Sequence, residues 1–264
     1  MNSLTIDIGN QRVKVNEWND NEIVWSCNHS NLPCNEIETR LKGDTISGMI
    51  VSSVRNDSDK VVEELKERFG GILVVDFNQE EIQEHYRSKI RYEGKIGTDR
   101  IAAYLGALTY SEGPFLIIDA GTAITQDMVD SKGDFYGGNI SLGWQTRLDA
   151  LAKATRQLPE VKEKSDSPKF GHNTLTAIEA GAKNGVAGEI LYTIKLAKED
   201  FNIKKVFATG GDIINLQGII EREMNSHEND SGENNPGDCG QCVVDPYLVG
   251  RGLNYHLRKY YFHE

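Results

Sequence analysis

The chain has 264 residues, 38% of them hydrophobic and 26% charged, with a formal net charge of −11 and a pI near 5.1. So acidic a surface excludes nucleic acid and anionic membrane as expected partners, because both need a positive footprint, but it admits a small anionic ligand held by a few local cations or backbone N–H groups. The opening MNSLTIDIGN has no basic segment followed by an apolar stretch, and apolar runs such as GILVVDF and FLIIDA are strand-sized, so neither a signal peptide nor a bilayer span is expected and the expected location is the cytoplasm.

In chain order, Leu4–Ile8 and Val13–Trp18 read as strands around the turn GNQR, and EIVWSC follows the polar turn at Asn19–Asn21 as a third strand. GMIVSSV (48–54) reads as a buried strand. The next segment, DSDKVVEELKERFGG, reads as a helix with Asp57 or Ser58 as cap, Val61, Val62, Leu65 and Phe69 on one face, and Gly70 as the stop. ILVVDF then completes a βαβ unit whose strands should run parallel. Asp99–Leu108 is apolar on nearly every face beyond its first turn, which predicts a buried helix.

The second half replays the first. Phe115–Asp119 and Ala123–Val129 read as a hairpin around AGTA, and FYGGNI as the third strand. LGWQTRLDALAKATRQL and the glycine-containing NTLTAIEAGAKNGVAGEILYTIKLAKED read as helices, KVFATGGD as a strand ending in a Gly-rich turn, and DPYLVGRGLNYHLRKYYF as a closing helix. Between the last two lies a polar stretch, 225–238, expected to be a loop. The boundary is expected near Glu112–Pro114, giving halves 1–112 and 113–264.

Four cysteines form CNHSNLPC (Cys27, Cys34) and CGQC (Cys239, Cys242). Cys-x6-Cys is a poor zinc knuckle, and CGQC is expected in a loop. Free thiols and a metal site both stay open, with free thiols the simpler reading.

The repeated device is an apolar strand ending in Asp-x-Gly-polar: DIGN at 7–10 and DAGT at 119–122, 112 residues apart. A strand-end Asp, a Gly that lets the backbone turn and approach a ligand, and a small polar residue suit a phosphate clamp. Backbone N–H groups hold phosphoryl oxygens and the carboxylates hold an accompanying metal. One such turn alone is a common structural signature; two at matching positions, with the third Gly turn ATGGD, point to nucleotide chemistry.

These features resemble the actin-like ATPase and sugar-kinase superfamily, and within it the type III pantothenate kinase family. The matching stretches are DIGN (7–10), SSV (52–54), GTDRIAAYLGA (97–107), IIDAGTAITQDMV (117–129), GGNISLGWQTRLDALAKATRQLP (137–159), NTLTAIEAGAKNG (173–185), TGG (209–211) and DPYLVGRGL (245–253). They run in order through essentially the whole chain. The resemblance implies an α/β fold of two duplicated ribonuclease H-like halves, mixed β-sheets flanked by helices. It implies a homodimer that phosphorylates pantothenate with ATP and Mg²⁺, the first step of coenzyme A biosynthesis, with a monovalent cation, K⁺ or NH₄⁺.

Residue by residue, the resemblance makes Asp99 the general base, where a carboxylate can take the proton of a primary alcohol; a helix cap is the alternative. Arg100 would hold the substrate carboxylate bidentately or form a structural ion pair. Gly97, Thr98, Tyr92 and Thr174 complete the substrate set, Thr174 being alternatively a helix cap. Asp7, Ile8, Gly9, Asn10, Gln11, Arg12, Val13 and Lys14 form the ATP turn, with Thr122 holding a phosphate oxygen and Asp119 the monovalent cation. Asp127 is left out, as a strand-end carboxylate expected in solvent. The chain departs from the family pattern at Gln11, where Thr or Ser is usual, at Leu142, where Pro is usual, and in the 225–242 segment. A kinase with another acceptor, a nucleotide-binding regulator lacking catalysis and an actin-like polymerising protein are the other classes in view, the last disfavoured by the short chain. The apolar helices beginning at Asp99 and Leu142 also suggest a homodimer.

Overall fold

The computed structural model describes residues 1–43, 46–55, 58–78, 80–162, 168–225 and 240–262. They fall into two compact units, one of Met1–Glu112, Gly133–Phe135 and the segment from Tyr247, the other of Gly113–Lys132 and Tyr136–Pro246.

The first unit is built on β1 (Asn2–Ile8), β2 (Val13–Asn19) and β3 (Glu22–His29), then α1 (Cys34–Gly43), β4 (Ile46–Ser53), α2 (Ser58–Arg68), β5 (Leu73–Asp76), α3 (Glu80–Tyr86) and α4 (Thr98–Leu108). Its sheet has the order β3-β2-β1-β4-β5. The β1–β2 hairpin is antiparallel, and β4 runs parallel to both β1 and β5 as the βαβ reading requires. Period-2 alternation sorts the two faces of β1. Leu4, Ile6 and Ile8 point into a core with Val13, Val15, Met49 and Val51, closed by Ile37 of α1 and Val62, Leu65 and Phe69 of α2. Truncating a fully buried side chain such as Ile6 to alanine costs about 2–5 kcal/mol.

The opposite face of β1 carries Ser3, Thr5 and Asp7, and its buried part is polar but satisfied. Trp18 Nε1 donates to Thr5 Oγ1 at 2.9 Å, and Ser3 Oγ donates to Asn254 Oδ1 at 2.6 Å.

The second unit repeats the topology with β6 (Phe115–Ala120), β7 (Ala123–Val129), β8 (Phe135–Leu142), α5 (Trp144–Ala154), α6 (Thr174–Phe201), β9 (Lys205–Thr209), α7 (Ile213–Asn225) and β10 (Gln241–Val244). The order β10-β9-β6-β7-β8 is the first sheet's order, strand for strand, with β6–β7 antiparallel and β6–β9 and β9–β10 parallel. Its core joins Leu116, Ile118 and Ala120 to Trp144 and Leu148 of α5, Ile190 and Ile194 of α6, and Leu216 and Ile220 of α7. Two mixed sheets of one topology flanked by helices are the duplicated α/β halves expected.

The closing helix α8 (Leu248–Leu257) belongs to the first unit, whereas the sequence grouped 113–264 together. It packs on α4 so closely that a Cβ on Gly106 would meet Leu248 backbone and one on Gly252 would meet Ala102 backbone. This explains why α4 is apolar all round, with nine of its residues from Thr98 to Ala107 buried, and it removes α4 as an argument for a second chain.

Three elements escaped the sequence: α1, α3 and β10, all short and weakly periodic. CGQC therefore ends in an edge strand rather than a loop, since Gln241 and Cys242 begin β10. Helix α5 stops at Ala154, not Leu158, because Thr155 is extended at φ −119°, ψ 141°. The Asp57 cap, Cys239 and the loop expected over 225–238, beyond Asn225, lie outside the described residues.

Candidate active site

In the first unit the chemistry gathers at the C-terminal ends of β1 and β4. The turn after β1 is closed by Gly9 N–H donating to Arg12 O at 2.9 Å. Arg55, just beyond β4, donates from Nε to Gly9 O at 2.8 Å. Val54 N–H reaches Ile8 O at 3.1 Å. Asn10, Gln11 and Arg12 are exposed, Val13 is buried in the core, Ile8 is buried beneath the turn, and Lys14 pairs across the hairpin with Asp7. This is an exposed backbone turn with cations beside it and a half-buried carboxylate at its root, the form a polyphosphate site takes.

Asp7 also pairs with Ser52 of β4, which places both side chains on the polar face of the sheet. Ser52 Oγ donates to Thr98 Oγ1 at 2.9 Å, and both residues are buried. That bond docks the N-terminus of α4 beside the strand end that carries Asp7. Gly97 is the N-cap of α4, at φ −59° and ψ 137°, so Asp99 is not the cap itself. Its Oδ1 nevertheless accepts from Arg100 N–H at 2.8 Å.

Burial pushes the Asp99 carboxyl above its ordinary value, against the opposing pull of the Arg100 backbone N–H and guanidinium. A carboxylate that resists ionisation yet sits on a helix N-terminus is a good proton acceptor near neutral pH. Arg100 is 5% exposed. Its guanidinium lies over the Tyr92 ring at 5.1 Å and the Phe135 ring at 5.6 Å. The structure thus brings Tyr92, Gly97, Thr98, Asp99 and Arg100 together, and Arg100 is a buried, stacked cation rather than a surface one.

In the second unit the Asp-x-Gly turn is two residues shorter. Gly121 N–H donates to Ala123 O at 3.0 Å. Thr122 O accepts from Gly143 N–H at 2.9 Å and from Thr146 Oγ1 at 2.7 Å, which fixes the turn to the start of α5 while Thr122 itself stays exposed. Asp119 pairs with Thr209 of β9. The Thr209 hydroxyl is buried without a hydrogen-bond partner among the described residues. Gly210 follows at φ +99°, and a Cβ there would overlap the Ala120 backbone, so only glycine fits.

Thr174 opens α6 and is exposed. The cap is Asn173, whose side chain accepts from Thr176 N–H at 3.0 Å in a capping box, so capping is removed as an explanation of Thr174. It lines a cavity of about 720 Å³ with Arg147, Leu151, His172 and Ala177.

Sequence reasoning missed Ser52 as the tether of Thr98, Arg55 as the clamp on Gly9, and Thr209. It also missed Arg147, whose guanidinium pairs with Glu189 while Gln126 Nε2 donates to the same carboxylate at 2.8 Å. SSV and TGG marked two of these positions, but nothing in one sequence says which hydroxyl points inward. Asp127, expected in solvent, is 1% exposed in the middle of β7. Cys27, Cys34 and Cys242 are free, half-buried thiols.

The fold and the paired turns define a kinase-like α/β protein of two duplicated halves. Solved structures share that fold across nearly whole chains. One is described as a conserved putative Baf family transcriptional activator from Campylobacter jejuni (TM-score 0.57, 21% identity, 97% of this chain and 98% of that one). Another is a ROK family glucokinase from Streptomyces griseus solved with glucose and AMPPNP (TM-score 0.52, 12% identity, 98% and 100%).

The family follows from sequence. The model for type III pantothenate kinase matches residues 3–196, and a Bacteroides fragilis protein named type III pantothenate kinase is 34% identical over 254 residues, 96% of each chain. The chain belongs to the type III pantothenate kinase family.

Proposed function

We propose that this chain phosphorylates pantothenate with ATP to give 4'-phosphopantothenate, the first step of coenzyme A biosynthesis, and that Asp99 is its general base. Family membership supports the reaction. The observation that carries the residue assignment is the buried, raised carboxyl of Asp99 at the start of α4, tethered through Thr98 and Ser52 to the strand that bears Asp7. Asp99 takes the proton of the primary hydroxyl as that oxygen bonds to the γ-phosphorus and ADP leaves with the broken bond's electron pair. Arg100 meets the pantothenate carboxylate, its guanidinium plane held by Tyr92 and Phe135. Gly97 and Thr98 stand in the same loop as Asp99, and Thr174 is assigned to the acceptor by the family resemblance alone.

The segment Asp7–Lys14 and Thr122 hold ATP, chiefly through backbone N–H groups. Mg²⁺ would be held by the phosphates and Asp7, and it neutralises charge on the transferring group. A monovalent cation fits Asp119: the carboxylate and the Thr209 hydroxyl, without a partner among the described residues, are hard oxygen donors on one face of the sheet. We propose a homodimer, for which the exposed Tyr136, Ile140 and Leu142 of β8 and Tyr192 of α6 supply apolar surface. A cytoplasmic location agrees with the reaction; no described helix is long and apolar enough to cross a membrane.

The test is ADP release from Mg²⁺-ATP with and without pantothenate, in potassium and in sodium buffer. Pantothenate-dependent, potassium-stimulated turnover is expected. ATP binding without pantothenate-dependent turnover would overturn the proposal. Light scattering at micromolar concentration should give twice the chain mass, and a monomer would refute the dimer.

A further inference from the structure

The connection from β3 to α1 carries side chains that the kinase chemistry leaves unused. Cys27 and His29 stand two residues apart on β3, so they share a face. Glu36, in the first turn of α1, is brought against them. A ligand atom from each of Cys27, His29 and Glu36 lies within 4.8 Å of the other two. His29 Nε2 is 2.9 Å from Glu36 Oε1.

The placement is held by more than the loop. Cys34 N–H donates to Leu32 O, and Glu36 and Ile37 N–H both donate to Pro33 O, each at 3.0 Å. Ile37 is fully buried, and Leu32 and Cys27 pack on the same core. A cavity of about 380 Å³ lies within the bend, lined by residues from His29 to Glu36, including Cys34.

We infer that Cys27, His29 and Glu36 form a binding site for a thiophilic divalent cation of the zinc class. A thiolate, an imidazole and a carboxylate are the donor set such an ion takes. Mg²⁺ demands near-octahedral oxygen ligation and does not compete for it.

Metal–ligand bonds of about 2.0–2.3 Å in a tetrahedron separate the donor atoms by about 3.5 Å. The largest separation must close by at most about 1.3 Å and the His29–Glu36 pair must open by about 0.6 Å. Rotation of His29 and Glu36 can supply this, since their side chains are 43% and 46% exposed. Binding releases the Cys27 thiol proton to solvent. Three protein ligands leave a fourth position for water. The bound ion ties the edge strand β3 to α1 and stabilises the fold by mass action.

The test uses the full-length protein without nucleotide, stripped with chelator. It is titrated with Zn²⁺ against a chromophoric chelator and, separately, with Co²⁺. One equivalent should bind, with a near-ultraviolet sulfur-to-cobalt charge-transfer band. Cys27→Ser should lose both the band and the tight equivalent, and His29→Gln should weaken binding roughly tenfold or more. Cys34→Ser and the double Cys239→Ser/Cys242→Ser should keep one equivalent and the band. Melting in chelator checks that each variant folds, and Mg²⁺-ATP-dependent turnover should be unchanged in Cys27→Ser. Absence of stoichiometric uptake would overturn the site. So would uptake that survives Cys27→Ser and His29→Gln but disappears in the 239/242 double variant, which would place the ion at CGQC.

Discussion

Gly97→Ala interrogates Asp99 without altering its chemistry. Gly97 sits at φ −59°, ψ 137°, a conformation alanine adopts freely, so the substitution introduces no backbone strain. A Cβ there would lie 2.5 Å from Asp99 Oδ1, where ordinary contact begins at 3.4 Å. The carboxylate must therefore give way by about 0.9 Å, and in doing so it strains or breaks the 2.8 Å bond from Arg100 N–H. Misplacing a reacting group by about 1 Å costs on the order of 10²-fold in rate, about 2.7 kcal/mol in the barrier. We expect kcat to fall roughly 100-fold, with ATP affinity nearly unchanged because the β1–β2 turn is not touched. The assay is steady-state pantothenate-dependent ADP release, with nucleotide binding and a thermal melt on the same preparation. A Gly97→Ala enzyme that folds, binds ATP and turns over at the wild-type rate would refute the placement of the base.

Asp99→Asn should lower kcat by about 10²–10⁴-fold. The folded state raises this carboxyl, so ionised Asp99 is a burden on the fold above its ordinary pKa. The variant should gain melting temperature over wild type more at pH 8 than at pH 4, and equal shifts at both would contradict the burial argument. Gly210→Ala should cost about 2–4 kcal/mol, read as a loss of urea midpoint, from its φ of +99° and overlap with Ala120 backbone; a neutral effect would show the turn is not as tight as described. His256 is buried, accepts or donates at Nδ1 to Tyr86 Oη at 2.6 Å, and is held down to about 4 by burial and by the nearby His85 and Lys259. The unfolded chain takes up that proton near pH 6.5 and the folded one does not, so stability should fall by about 3 kcal/mol between pH 7 and pH 4, and His256→Gln should flatten that slope. Thr209→Val removes a buried hydroxyl without a described partner, so it should hold or raise stability in sodium buffer while abolishing potassium stimulation; retained stimulation would remove Thr209 from the cation site.

The sheets were legible because β1, β4, β6 and β9 are apolar runs of strand length with a carboxylate or hydroxyl at the end, a pattern helices do not produce. The loop proposed to bind substrate stood out in the sequence because GTDR and DAGTAITQD occur together. What stayed hidden depends on long-range pairing. Nothing near Ser52 in sequence announces Thr98, 46 positions away, and Asp127 looks like an exposed strand residue although it is 1% exposed in the folded chain. Sequence adjacency groups helix α8 with the second half, whereas its small residues Gly250 and Gly252 seat it against Asn16 and Ala102 of the first unit.

The two copies of the Asp-x-Gly turn have diverged in the hydroxyl beside each carboxylate. Ser52, next to Asp7, spends its hydrogen on Thr98 and so fixes the start of α4, where we propose the acceptor binds, to β4. Thr209, next to Asp119, is buried at the equivalent register with no described partner. An unsatisfied buried hydroxyl costs about 1–3 kcal/mol, a penalty that a valine at position 209 would avoid. An oxygen retained there, on the same face as a carboxylate, is a donor that the cation proposed at Asp119 would use. A duplicated half that had kept both turns for one purpose would show the same partner at both positions. The difference between Ser52 and Thr209 is the observation behind our proposal that the first turn serves phosphate transfer and the second a cation.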